Sequence, residues 1–217
     1  MKNILKNHKY ILILCLAFLV GCTSNNNNVK SRDYNAKGEM YLKTEKFAKA
    51  EKYLNKAIET NPYNLEAYKN RGTLYYTLGD YDKSISDFDY VLSYQKYDSS
   101  VLSAKGAALA NMGKYNEAYE TLTEALRLNP SNVAALNSVA GLLFIAGDLE
   151  KAEQIYTISL EYTTTPEAYL MRAKCYEIQG KMTEAERDYA LAKILKLGVG
   201  NTAPEGKNNS SDTTEEK

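Results

Sequence analysis

Between residues 31 and 197, apolar and small side chains follow a helical pattern that then repeats along the chain. When units are counted from residues 31, 65, 99, 133 and 166, these side chains recur at positions 4, 8 and 11, and again at 17, 20, 24 and 27. Steps of three and four put each set on one face of a helix with 3.6 residues per turn. Each unit is therefore predicted to be an amphipathic helical hairpin. Two glycine ladders share the period: Gly38, Gly72 and Gly106 stand 34 apart, as do Gly79, Gly113 and Gly147, with Gly180 following after 33. The second ladder is at position 15, where glycine ends a helix in left-handed backbone without a Cβ penalty; Glu45 fills that slot in the first unit. Pro62, Pro130 and Pro166 fall in turns between units and Pro204 in the tail, so no proline interrupts a helix.

A lone hairpin of this kind cannot bury both faces of its helices, so stability must come from stacking units on one another. The period and the residues around the glycines resemble the tetratricopeptide repeat over about residues 31 to 197, in five units: 31–64, 65–98, 99–132, 133–165 and 166–197. The small residue of position 8 is Gly38, Gly72, Gly106, Ala140 and Ala173, and that of position 20 is Ala50, Ser84, Ala118, Ala152 and Ala185. Position 11 holds Tyr41, Tyr75, Leu109, Leu143 and Tyr176; position 27 holds Ala57, Val91, Ala125, Ser159 and Ala192. The departures are Lys96 where proline is usual and a one-residue deletion before Pro166. The resemblance implies an all-α, right-handed superhelical solenoid of about five helix-turn-helix units. Of 19 tyrosines, Tyr34, Tyr68, Tyr169, Tyr41, Tyr75, Tyr176, Tyr156 and Tyr189 occupy core positions, which accounts for them by packing.

The two ends differ from the array. Residues 1–21 combine Lys2, Lys6 and Lys9 with an apolar stretch from Tyr10 to Val20, as an export signal requires, and that stretch is too short for the roughly 20 residues that span a bilayer. Leu19-Val20-Gly21-Cys22 resembles the lipobox of bacterial lipoproteins, which implies a lipid on Cys22 and cleavage just before it. Thr23, rather than an aspartate, after that cysteine implies sorting to the outer membrane in preference to the inner one. Residues 22–30 are expected to form a lipidated, flexible tether and residues 198–217, rich in Gly, Asn, Ser and charge, a disordered tail.

Charge and chemistry narrow the function. Three of the 27 basic side chains lie in the leader, leaving 24 against 27 acids in the body, which gives no basic stripe for nucleic acid. Cys15 leaves with the leader and Cys22 is taken by lipid, so Cys175 is the one thiol of the mature body and is read as a packing residue. The sole histidine, His8, lies in the leader, and no phosphate loop, paired-cysteine spacing or nucleophile elbow is present. No enzymatic activity, cofactor or metal is expected.

The resemblance implies instead a concave groove lined by the first helices at positions 2, 5, 9 and 12. Carried over, these are Arg32, Asn35, Glu39 and Leu42; Glu66, Lys69, Thr73 and Tyr76; Ser100, Ser103, Ala107 and Ala110; Ala134, Asn137, Gly141 and Phe144; and Glu167, Leu170, Lys174 and Glu177. Small residues at Ala107, Ala110 and Gly141, flanked by Tyr76 and Phe144, suit a peptide with apolar anchors. The carboxylate clamp of chaperone-binding members is absent, its slots reading Asn35, Glu39, Ser100 and Ala104. Leu191, Ile194 and Leu197 lie where a capping helix would normally cover the last repeat, so this end is expected to self-associate or dock a partner. Residues 30–59 hold eight basic and five acidic side chains beside the lipid anchor, suited to anionic head groups or a solvated helix face. The expectation is a membrane-anchored scaffold for envelope proteins. The alternatives are a peptidoglycan- or glycan-binding lipoprotein and a pilotin-like assembly factor for a pilus or secretin.

Overall fold

A computed structural model describes residues 26–197. The expected signal peptide, the expected lipidation at Cys22 and the expected tail at 198–217 lie outside the described residues. Every regular element among those described is an α-helix: α1 (26–43), α2 (Phe47–Thr60), α3 (Leu65–Leu78), α4 (Tyr81–Tyr94), α5 (Ser99–Asn111), α6 (Tyr115–Leu128), α7 (Val133–Ile145), α8 (Leu149–Tyr162), α9 (Pro166–Ile178) and α10 (Met182–Lys196). The chain divides into two compact units, one running to Ser138 and the other from Val139, a boundary inside α7.

Helix starts follow capping chemistry. The side chains of Asn64, Asp98 and Thr165 accept backbone N–H bonds in the first turns of α3, α5 and α9, and Asn132 accepts that of Ala135. The equivalent place before the first repeat holds Lys30, which has no capping oxygen. This corrects the tether expected at 22–30: its last five residues, 26–30, are helical and extend α1. Asn28 in that extension accepts a 2.8 Å bond from Asn61 Nδ2. Helix ends follow the glycine ladder, with φ between +77° and +82° at Gly79, Gly113, Gly147 and Gly180 and +55° at Glu45.

In the first unit, Leu54 and Leu74 pack with Ala50 under Tyr41, Leu42 and Phe47, and Phe88, Val91 and Val101 form a second cluster. Full burial of a side chain such as Leu54 or Leu122 contributes about 1.5–3 kcal/mol. A polar tie recurs at the seams. Ser31 Oγ donates to the Ala57 carbonyl (2.7 Å) and accepts from Asn64 Nδ2 (2.8 Å); Ser99 Oγ does the same with Ala125 (3.0 Å) and Asn132 (2.8 Å). Arg71 grips Asp87 with Nε (2.8 Å) and Nη2 (2.7 Å) while Nη1 donates to Asn55 in the preceding repeat (2.7 Å).

The second unit repeats that fork: Arg172 binds Asp188 through two bonds and Thr157 through a third. Its core is Ala140, Ala152, Tyr156, Leu160, Ala168 and Cys175.

Candidate binding site

The first unit holds a cavity of about 300 Å³ lined by Thr73, Tyr76, Phe88, Ser100, Ser103, Ala104, Ala107, Ala134 and Ser138. Its shape follows from the repeat. Gly72 admits the Phe88 ring, whose edge would come within 2.7 Å of any Cβ there, so the ring lies deep enough to form the floor. Small residues on α5 and the start of α7 leave the space open, and Tyr76 forms a wall, its hydroxyl accepting a 3.1 Å bond from Asn111 Nδ2. Hydroxyls of threonine and serine punctuate an otherwise apolar lining, and no charged side chain contributes to it. Such a pocket takes a neutral apolar group and rejects a carboxylate or ammonium, whose desolvation nothing there would offset.

Six residues expected in the groove meet in this cavity: Thr73, Tyr76, Ser100, Ser103, Ala107 and Ala134, although Ser103 is otherwise buried. Phe88, Ala104 and Ser138 were not anticipated. Ala104 and Ser138 share position 6 of their repeats, so a groove pattern extended to that position would have found them.

Other expected groove residues are engaged elsewhere. Lys69 is bound to Asp98 (2.8 Å) and Glu66 (3.1 Å). Burial works against ionisation of Asp98, but bonds from Lys69, the Ser100 hydroxyl and the Val101 N–H win and bring its carboxyl down to about 2. Glu39 is paired with Lys43, Leu42 packs against the first core cluster, and Asn35 accepts from Asn70 Nδ2 at 2.9 Å. Arg32, Asn35 and Glu66 line a separate polar hollow. Ala110 and Asn137 are half-buried.

In the second unit, Phe144 packs against the core instead of standing free as a flank, and Gly141 lies 3.7 Å, measured from a built Cβ, from the Tyr156 hydroxyl. Leu170 is half-buried, Glu167 and Lys174 are exposed, and Glu177 accepts from the Tyr189 hydroxyl. Of the expected end interface, Leu191 is half-buried whereas Ile194 and Leu197 are 45% and 65% exposed. Cys175 is fully buried, and burial pushes its thiol up to about 11, which keeps it protonated and unreactive at neutral pH.

These features define a class: a protein of helical hairpins, among the described residues, with a small uncharged cavity between first helices of its first unit. Models of the tetratricopeptide repeat match residues 35–100, 109–175 and 166–193, and the chain is a tetratricopeptide-repeat protein. It is 32% identical over 103 residues to Hsp70-Hsp90 organizing protein 3 of Arabidopsis thaliana, a match covering 48% of this chain and 18% of that relative. Two solved structures share the fold. The pilF protein of Pseudomonas aeruginosa is 20% identical with a TM-score of 0.69, covering 77% of each chain. A thermophilic TPR protein of Thermus thermophilus is 20% identical with a TM-score of 0.68, covering 78% of this chain and 95% of that one.

Proposed function

We propose that this protein is a lipid-anchored adaptor of the bacterial cell envelope, held to the outer membrane through Cys22 and binding a segment of another envelope protein through the cavity of its first unit. The observation that carries the binding role is the uncharged cavity walled by Tyr76 and floored by Phe88, of a size to take one large apolar side chain. The reading is supported by the relative whose name describes it as organizing Hsp70 and Hsp90. Here the carboxylate-clamp slots carry Asn35, Glu39, Ser100 and Ala104, so the favoured ligand is an internal segment with an apolar anchor. The lipidation reading is supported by the basic, apolar and small-residue order that ends at Cys22.

The test compares envelope partners recovered by the intact protein, by Ala107→Met, which fills the cavity without adding charge, and by Tyr76→Ala, which removes a wall. Losing a seat for one large apolar side chain should weaken capture by about tenfold or more. Unchanged recovery with both variants, each retaining full helical circular dichroism, would remove the cavity from the binding role. Absence of acyl mass on Cys22 in protein from native envelopes would remove the anchor.

A further inference from the structure

The first repeat carries a face built from tyrosines and lysines in alternation. Tyr53 of α2 stacks on Tyr41 (ring centroids 5.4 Å apart) and stands 6.3 Å from Tyr34, both of α1. Three ammonium groups lie over these rings: Lys37 over Tyr53 at 5.9 Å, Lys49 over Tyr41 at 5.6 Å, and Lys56 over Tyr34 at 5.7 Å and Tyr53 at 5.9 Å. Lys37, Lys49 and Lys56 are all exposed. Laid along a ring, each stem is ordered while its charged head stays available to an anion.

The direction of this face follows from α2. Glu51 and Asn55 bond to Tyr75 and Arg71 of α3. At about 100° per residue those two positions lie on the opposite side of α2 from Lys49, Tyr53 and Lys56. The tyrosine and lysine face therefore points away from α3. Its charge is one-sided as well. Residues 30–59 hold eight cations and five acids; Glu39 and Lys43 pair with each other, and Glu51 is bonded by the Tyr75 hydroxyl.

Placement supplies the occupant. The described part of α1 reaches back to residue 26, four residues after Cys22 in the sequence. Four residues reach about 14 Å at full extension. We infer that this face rests on the anionic head groups of the membrane, an inference that depends on the lipid anchor proposed above. Ammonium groups meet lipid phosphates while the tyrosines, apolar in body and polar at the tip, lie at the interfacial level.

Vesicle partition tests this with the mature chain from residue 22, carrying Cys22→Ser so that no lipid contributes. Binding is expected to vesicles containing phosphatidylglycerol, to fall with added salt, and to be lost on pure phosphatidylcholine. Removing three lysines in K37Q/K49Q/K56Q should weaken it about a hundredfold, roughly fivefold per lysine, whereas K37R/K49R/K56R keeps it. K174Q/K193Q/K196Q, with the same change in net charge, should bind as the parent does. Equal partition to both vesicle types, or parental binding by the K37Q/K49Q/K56Q variant, would overturn the inference. The mass of the mature chain from native cells reports separately on Cys22, so a failed anchor and a failed headgroup face give different results.

Discussion

At the scale of single residues, a pairing between positions 8 and 24 governs how closely two helices of a repeat approach. A Cβ added to Gly38, Gly72 or Gly106 would stand 2.6, 2.7 or 2.5 Å from Leu54, Phe88 or Leu122 respectively. Where position 8 is Ala140 or Ala173, position 24 is a tyrosine, Tyr156 or Tyr189. Gly106→Ala should therefore cost about 1–3 kcal/mol by overpacking against the branch carbon of Leu122, measured by chemical denaturation. The cost should shrink in a Leu122→Ala background, because the two side chains compete for one space. The glycine ladder was plain in the sequence, but its cause was only half legible: the periodicity marks position 8 as small, and only the geometry shows which side chain demands it. The Arg71–Asp87 and Arg172–Asp188 forks were written in the sequence as well, as arginine at position 7 wherever aspartate stands at position 23. Helical periodicity tracks apolar residues and passes over such buried ion pairs.

At the scale of helices, the junction from α3 to α5 depends on Asp98, which caps α5 through Ser100 and Val101 and holds Lys69 across the repeat boundary. Its carboxyl lies at about 2 in the folded chain against 3.8 ordinarily. A carboxyl depressed by folding adds stability above its unfolded pKa and loses it as the pH falls through the folded one. Stability should therefore drop between about pH 4 and pH 2. Asp98→Asn, which retains a capping oxygen but no charge, should be less stable at neutral pH and show a smaller drop over that window in urea titrations at stepped pH. An unchanged pH profile in the variant would assign the acid sensitivity to other carboxylates. The same helix-level view explains why α1 reaches back beyond residue 31. Hydrophobic spacing located the first repeat, but the helical turn at 26–30 goes with the missing cap at Lys30 and the Asn28–Asn61 bond, neither of which leaves an apolar signature.

For the whole molecule, the order of hairpins was legible because each one repeats the same burial pattern, whereas the binding site was legible only in part. Positions 2, 5, 9 and 12 named most of the cavity lining, yet Lys69, Leu42 and Phe144 from the same positions are taken up by an ion pair or by packing. Whether a groove position stays free depends on its neighbours in the adjacent helices, which sequence spacing does not encode. The proposed adaptor role rests on the cavity between α3, α5 and the start of α7, and the most direct measurement is backbone hydrogen exchange with and without the captured partner segment. Slowed exchange is expected in α3 and α5 and at residues 133–138, and it should be abolished by Ala107→Met. Slowing confined to α10, or no slowing while the segment stays bound, would contradict a groove-binding adaptor.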